Sequence, residues 1–340
     1  MRIIVGSAHY PPNFTSGGTL QPQRMARGLR QRGHDVSVFA GWLGDRPPLS
    51  EFDEVDETGL PVHWIVTTPW TAWGDPKNHE NPDVTAAFAR HLAEQRPDVV
   101  HLHSIQTLGV GLVEAASAVG ARVVVTMHDF WWTCARQFLV DRSYHPCSEV
   151  VDLGNCECER GRDALAQRTA RLEQALRAAD LVFAPSQSAA DILNANGAAG
   201  GRVLVDENGM DDVAVALPRR VGADPAGVRF LFTGGPDPMK GWPVLLDAAR
   251  GMADVSGWSL DAYGFDQPVA VPAGVPVRVH GPYPPASADA VFGASDVLIV
   301  PSVMRESHSL VTREALLRGL PVVAAASVGP EEVVTHGVNG

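Results

Sequence analysis

Two carboxylates eight positions apart mark the stretch DVLIVPSVMRESHSLVTREALLRG, residues 296–319. Glu306 falls in a polar loop that follows an apolar run and Pro301-Ser302. Glu314 falls one turn inside the helix expected over residues 310–318. The start of such a helix offers unpaired N–H groups and the positive end of its dipole, a seat for phosphate. A carboxylate just before the helix, and another emerging from its side, can accept hydrogen bonds from the hydroxyls of a sugar or a ribose. The plainer alternative makes Glu306 a surface loop residue and Glu314 a solvated helix residue.

His128 and Asp129 follow the β-branched run at 122–126 and so stand where a ligand would meet the end of a strand. A histidine in that place is more often structural than functional. His101 and His103 sit at another strand end and are expected on opposite faces, His103 toward a pocket and His101 in packing. Four cysteines, at 134, 147, 156 and 158, are spaced C-x12-C-x8-C-x-C, and the chain has no others. Such clustering points to metal more than to disulfides. A structural zinc on Cys134, Cys147, Cys156 and Cys158, ordering an insertion over residues 134–158, is one expectation. Free thiols are the other. Trp131 and Trp132 beside His128, and Trp64, Trp70 and Trp73, could line an apolar groove, although each is more simply a packing residue.

These residues need elements to hold them. Apolar runs at 2–5, 36–39, 98–102, 122–126, 181–185 and 203–205 read as strands, with a helix over 20–32. After residues 217–229, which hold two prolines and two glycines without a periodic face, the alternation restarts. Strands are expected at 230–233, 259–263, 277–279, 297–300 and 321–325, and helices over 242–250 and 310–318. Strands alternating with helices mean βαβ units and parallel sheets. The expected fold is α/β, two doubly wound Rossmann-like domains: 1–216, a linker at 217–229 (Arg219-Arg220 as a solvated hinge) and 230–340. In such sheets ligands lie beyond the carboxyl ends of the strands, which selects loops at 10–18, 103–107, 127–134, 234–241 and 301–309.

Composition narrows the function classes. The 340 residues are 45% hydrophobic and carry 27 Lys+Arg against 39 Asp+Glu, a net charge of −12. That is globular and acidic, which argues against nucleic-acid binding and against strong membrane association. The start, MRIIVGSAHYPP, has no apolar region long enough for a signal peptide, and no run approaches a membrane span, so a cytoplasmic location is expected. Neither G-x-G-x-x-G after the first strand nor G-x-x-x-x-G-K-[ST] occurs, which demotes dinucleotide dehydrogenases and P-loop NTPases.

The stretch PSVMRESHSLVTREALLRGLPVVA resembles the E-x7-E region of the family 4 glycosyltransferases, a large retaining group with the GT-B fold. The resemblance runs on into SVGPEEVVTHGVNG and back into FTGGPDPMKGWPVLLDA. In the N-terminal half it takes in the loop ending at Gly17-Gly18, ARGLRQRGHDVSVFAG, PDVVHLHS, VVVTMHDFWWTC, ADLVFAPSQSA and VDENGMD, in family order. Nearly the whole chain is covered.

The resemblance implies transfer of a sugar from a nucleoside diphosphate sugar to a glycan, lipid-linked or small-molecule acceptor, with retention. The N-terminal domain would serve the acceptor and the C-terminal domain the donor. Glu314 would hold ribose hydroxyls and Glu306 hydroxyls of the transferred sugar. Ser307, His308, Ser309 and Leu310 would line the sugar with their N–H groups, and Val311 and Thr312 would reach the diphosphate. Lys240, in the loop of Gly234 and Gly235, would neutralise phosphate oxygens. Gly17 and Gly18 would allow close approach of the N-terminal loop, and His128 would contact the donor sugar. No enzymic nucleophile and no catalytic metal is implied. Three departures stand out. Gly235 occupies the place where family members commonly have Arg. Ser307-His308-Ser309 replaces an aromatic and a glycine. The sequence stops at Gly340, where members continue, so a C-terminal domain incomplete at its end is expected. The competing readings are a GT-B nucleotide-sugar 2-epimerase and a non-catalytic nucleotide-sugar or carbohydrate-binding protein.

Overall fold

The computed structural model describes residues 1–67, 75–156, 158, 161–210 and 227–340. The chain divides into two units, Met1–Leu139 with Ser148–Gly209, and Val140–Cys147 with Met210–Gly340. Part of the cysteine-bearing insertion thus groups with the second unit.

The first unit holds β1 (Arg2–Ser7), α1 (Gly17–Gln31), β2 (Asp35–Trp42), β3 (Glu51–Val55), β4 (Pro61–Val66), α2 (Pro82–Gln95), β5 (Val99–Leu102), α3 (Gly111–Ala118), β6 (Arg122–Thr126), α4 (Arg162–Leu176), β7 (Leu181–Ala184), α5 (Gln187–Ala195) and β8 (Leu204–Val205). Its sheet runs β3-β4-β2-β1-β5-β6-β7-β8. Every pairing is parallel except β3 with β4. Strand β1 is buried from Ile3 to Ser7, as expected of a central strand covered on both faces. On one side Ile3, Val5, Val36, Val38 and Trp64 pack with Tyr10 and with Ala26 of α1. Trp64 is therefore a core residue, not part of a groove.

The second unit holds β9 (Val228–Phe232), α6 (Trp242–Gly251), β10 (Trp258–Ala262), β11 (Val277–Val279), α7 (Ala288–Gly293), β12 (Val297–Val300), α8 (Leu310–Leu317) and β13 (Val322–Ala324). Its all-parallel sheet is ordered β11-β10-β9-β12-β13. Successive side chains of a strand point to opposite faces, and β9 shows it. Leu231 packs with Phe292 of α7 and Ala315 of α8, while Phe232 packs with Trp242 and Leu245 of α6. The unit is doubly wound.

Strand order places a switch point in each sheet. In the first the chain leaves β1 toward β2 on one side and later returns to β5 on the other. In the second it leaves β9 toward β10 and returns to β12. The crevices at such points are where open α/β sheets bind ligands. They select the segments after β1, β5, β9 and β12.

Some boundaries differ from the sequence reading. Helix α1 starts at Gly17, not near Leu20, because Ser16 caps it, so Gly17 and Gly18 form its first turn and not a loop. Strand β9 begins at Val228, inside the stretch read as linker, where Arg229 makes a two-pronged ion pair with Asp296 at 2.8 and 3.0 Å. Residues 217–226 of that linker, with Arg219 and Arg220, lie outside the described residues, as do Trp70 and Trp73.

Candidate active site

In the second unit the segments after β9 and β12 meet. Lys240 Nζ donates to Glu306 Oε1 at 2.9 Å, and Ser302 Oγ donates to the same oxygen at 2.7 Å. The Glu306 side chain is 9% exposed and that of Lys240 36%. The pair is held from below. Gly241 is left-handed (φ +83°), and a Cβ there would lie 2.0 Å from the Pro301 carbonyl oxygen. Val303 and Met304 N–H groups both donate to the Met239 carbonyl. Asp237 caps the turn Pro238–Lys240 by accepting from Met239 N–H at 2.8 Å. Glu306 is fixed on its other side as well, its N–H donating to Ser327 and its carbonyl accepting from Gly329 N–H.

The glycines of this loop have steric reasons. A Cβ on Gly234 would fall 2.4 Å from the Phe232 ring and 2.8 Å from Lys240 Cβ. Gly235 (φ +63°) lies against Gly264, whose carbonyl oxygen would be 2.6 Å from an added Cβ. No arginine fits at Gly235 without moving the backbone at Gly264, just after β10, which accounts for that departure.

Helix α8 begins without a cap. Ser309, at φ 55° and ψ 76°, makes no cap hydrogen bond to the helix N–H groups. Its hydroxyl pairs with Thr312 Oγ1 at 2.8 Å. His308 just before it is buried, and neither ring nitrogen has a hydrogen-bond partner among the described residues. Burial, then the Arg313 charge, pushes its pKa down to about 3, so the ring is neutral. Ser307 and Leu310 are partly exposed, as is Val311, which packs on the core beside α7. Glu314, at the fifth position of α8, faces Tyr283. Burial and then the Glu314 charge push the Tyr283 phenol up to about 12.

In the first unit His128 Nε2 lies 2.8 Å from His103 Nδ1, at the ends of β6 and β5. Asp129 turns inward, accepting from Trp131 N–H at 2.8 Å, Gln137 at 2.6 Å and Gln106 at 3.1 Å. Burial raises its pKa to about 6 against these donors. Trp131 and Trp132 are buried, as packing residues are. Trp131 Nε1 donates to Asn78 at 2.6 Å, and its carbonyl accepts from buried Arg168 at 2.6 Å. His101 and His103 do not face opposite ways. Residues two apart on a strand share a face, and the two rings stack with centroids 4.3 Å apart.

Among the described residues no three His, Cys, Asp or Glu side chains gather as a metal-holding group. Cys134 is buried, and burial raises its thiol pKa although it accepts backbone N–H bonds from Leu139 and Arg136.

Sequence reasoning placed Gln106, Gly241 and Ser302 in its strand-end loops without singling them out, and it missed Asn78, Gln137, Arg168 and Gly329, which lie outside those loops.

Two doubly wound α/β units, the second with an ion pair at its switch point, are the GT-B arrangement of glycosyltransferases. Residues 16–213 match the model of Glycosyltransferase Family 4, and residues 227–340 match Glycosyl transferases group 1. The chain belongs to glycosyltransferase family 4. It is similar to the D-inositol 3-phosphate glycosyltransferase of Mycolicibacterium gilvum, 33% identical over 372 residues spanning all of this chain and 77% of that one. The enzyme of the same name from Geodermatophilus obscurus is 28% identical over 380 residues, spanning all of this chain and 78% of its own. Among solved structures, Anabaena HepE in complex with UDP-glucose superposes with a TM-score of 0.66 at 20% identity, covering all of this chain and 84% of that one. The catalytic domain of Arabidopsis thaliana starch synthase IV, bound to ADP and acarbose, gives 0.60 at 16% identity, covering 99% of this chain and 85% of that one. Among the described residues no helix is long and apolar enough to cross a membrane.

Proposed function

We propose that this glycosyltransferase works with retention, taking its sugar from a nucleoside diphosphate sugar bound on the second unit and passing it to a hydroxyl acceptor served by the first. The observation that carries the reading is the Lys240–Glu306 pair at the β9/β12 switch point, directly before the uncapped start of α8. Lys240 has two N–H donors beyond the one given to Glu306, and these meet the diphosphate with the first N–H groups of α8. Glu306, anchored through Oε1, accepts from hydroxyls of the transferred sugar, and Glu314 from the ribose. His308 and its neighbours line the sugar, and Gly17 and Gly18 bring the first turn of α1 to the phosphates.

In the transfer the bond from the anomeric carbon to the phosphate oxygen breaks and the bond to the acceptor oxygen forms on the same face. The acceptor proton passes to a phosphate oxygen. Negative charge grows on the leaving diphosphate, where a fixed cation and fixed dipoles act most strongly. The phosphate charge is met by Lys240 and N–H groups, so the reading names no metal. We place the reaction in the cytoplasm. HepE makes UDP-glucose the first donor to try, and the curated relatives make a phosphorylated inositol the first acceptor.

Calorimetric titration with UDP, GDP, ADP and NAD tests the donor site. One nucleoside diphosphate should bind saturably and lose affinity in Glu314→Ala. Failure of all four, or binding of NAD alone, would sink the reading.

A further inference from the structure

The fourth residue of α8 is a cation placed where a helix least favours one. The positive end of the macrodipole lies at the first turn, which draws carboxylates and opposes Lys and Arg. The first turn of α8 carries no acid, and Arg313 follows directly upon it. The Arg313 side chain is only 10% exposed, and Glu332, its ion-pair partner at 3.3 Å, is 19% exposed. What the guanidinium holds accounts for its place. Nη1 turns back past the start of the helix and donates to the carbonyl oxygens of His308 and, at 3.4 Å, Gly329, while Nη2 serves Glu332.

Those two carbonyls belong to segments that lie side by side. Glu306 and Val328 form a parallel bridge, with Glu306 N–H donating to Ser327 and Gly329 N–H to Glu306. Arg305 adds a bond to the Ala326 carbonyl at 3.3 Å. The approach is close, since a Cβ on Gly329 would lie 2.7 Å from the Glu306 carbonyl oxygen. Both segments are strained. Val328, β-branched, is left-handed at φ +82°, with its N–H held by Glu331 at 2.6 Å, and Ser309 is left-handed at φ 55°. Such residues persist only where their surroundings over-determine them. The Ser309 hydroxyl bond to Thr312 lies within the turn, whereas Arg313 ties the preceding carbonyl to the facing segment. We propose that Arg313 is a positioning residue for the donor: it clamps the His308 and Gly329 carbonyls, holds Ser309 left-handed, and so keeps the first N–H groups of α8 and the Glu306 loop set for the diphosphate. This rests on the diphosphate seat proposed above. A carbonyl oxygen turned into that seat would repel phosphate, and the clamp engages both of the nearest ones. The guanidinium charge works against the helix dipole but with it toward an anion.

The test is calorimetric affinity of the full chain for UDP, GDP and ADP, set beside hydrogen exchange. For the diphosphate that the wild type binds, Arg313→Gln should weaken affinity ~10-fold. Arg313→Lys keeps the charge and can still meet Glu332, but one nitrogen cannot stand where two did, so it should lose ~3-fold. Wild-type affinity in either folded variant would leave Arg313 a purely structural role and overturn the proposal. Ser309→Gly separates the clamp from the charge. Glycine is left-handed without strain, so in that background Arg313→Gln should cost only ~2-fold. An undiminished ~10-fold loss there would overturn the hold on Ser309. Hydrogen exchange in Arg313→Gln should quicken over residues 305–313 and 326–332 and stay as it was over β9 and β10. No change, or an equal rise across the second unit, counts against the clamp. Should Arg313→Gln fail to fold, Arg313→Lys carries the same two readouts. If the wild type binds none of the three diphosphates, the donor reading has failed, while exchange still judges the clamp.

Discussion

The two helices that could seat phosphate begin in opposite ways. At α1, Ser16 and Thr19 form a closed box: Ser16 Oγ accepts from Thr19 N–H at 3.3 Å, and Thr19 Oγ1 accepts from Ser16 N–H at 2.8 Å. At α8, Ser309 is held left-handed and spends its hydroxyl on Thr312 Oγ1. A cap such as Ser16 contributes ~1 kcal/mol to the fold. A non-glycine residue held left-handed costs on that order. The first terminus serves stability, and at its second position a Cβ would meet only Ser16 Oγ. The second gives up stability and keeps its N–H groups unengaged beside a lysine.

The largest test of that contrast is chemical. Glu306→Gln and Lys240→Met should each lower turnover of UDP-glucose by ~10²–10³-fold, the scale for removing a group that acts on developing charge. Glu306→Gln should cost the fold only ~1 kcal/mol, since its amide oxygen can still accept from Lys240 and Ser302. Lys240→Met should cost more, because it leaves the buried Glu306 carboxylate without its cation. Turnover from UDP release, set beside urea unfolding, reads both. A comparable loss of turnover in Ser16→Ala would break the contrast.

Acid should separate the two units. In the first, burial lowers the pKa of His91 and His101 to about 4 and holds His103 lower than its ordinary value. In the second, His308 is the one such histidine among the described residues. A histidine lowered on folding binds more protons when unfolded, so its contribution is complete above pH ~6.5 and is lost as pH falls toward ~4. Asp129, raised to about 6, has the opposite sign and offsets part of this in the first unit. The first unit should lose ~2–3 kcal/mol more than the second between pH 6.5 and 4. Hydrogen exchange at several pH values resolves the units, and parallel loss would contradict the assignment.

Backbone fit ranks next. Gly241→Ala places a Cβ against the Pro301 carbonyl in a left-handed residue. It should cost the second unit ~2 kcal/mol or more in urea unfolding. Ser16→Ala should cost the first unit ~1 kcal/mol. Ser309→Gly should stay within ~0.5 kcal/mol of zero, because relief of the left-handed strain offsets the lost Thr312 bond. Equal costs at the two caps would mean that α8 is as closed as α1.

What could be read in the sequence follows the same division between local and distant. The strand alternation, the loops after the strands and the seven-residue gap between Glu306 and Glu314 are local patterns, and the architecture came with them. Strand β3, EFDEV, is exposed and charged along its length, so no apolar period announced it. The bond from Lys240 to Glu306 joins residues 66 apart, Trp131 to Asn78 joins residues 53 apart, and Arg168 to Trp131 spans 37. No short-range spacing encodes such pairs. The histidine row was misjudged for a local reason: residues two apart on a strand share a face, and that period was misapplied to His101 and His103. The cysteine spacing leaves zinc and free thiols both open, since its C-x-C ending does not fix how the intervening chain folds.

The smallest effect is the most discriminating. Gly18 is the second residue of α1, and a Cβ there would meet only Ser16 Oγ, at 3.9 Å. Nothing in the fold asks for glycine at this position. Replacing it with alanine removes backbone freedom from the unfolded chain and should stabilise the first unit by ~0.5 kcal/mol. A helix without a side chain at its second position leaves its N–H groups approachable by something as bulky as a diphosphate. Gly18→Ala should therefore raise the urea midpoint and still lower UDP-glucose turnover. If stability rises and turnover holds, the first turn of α1 does not approach the phosphates, and the open start of α8 must serve them alone.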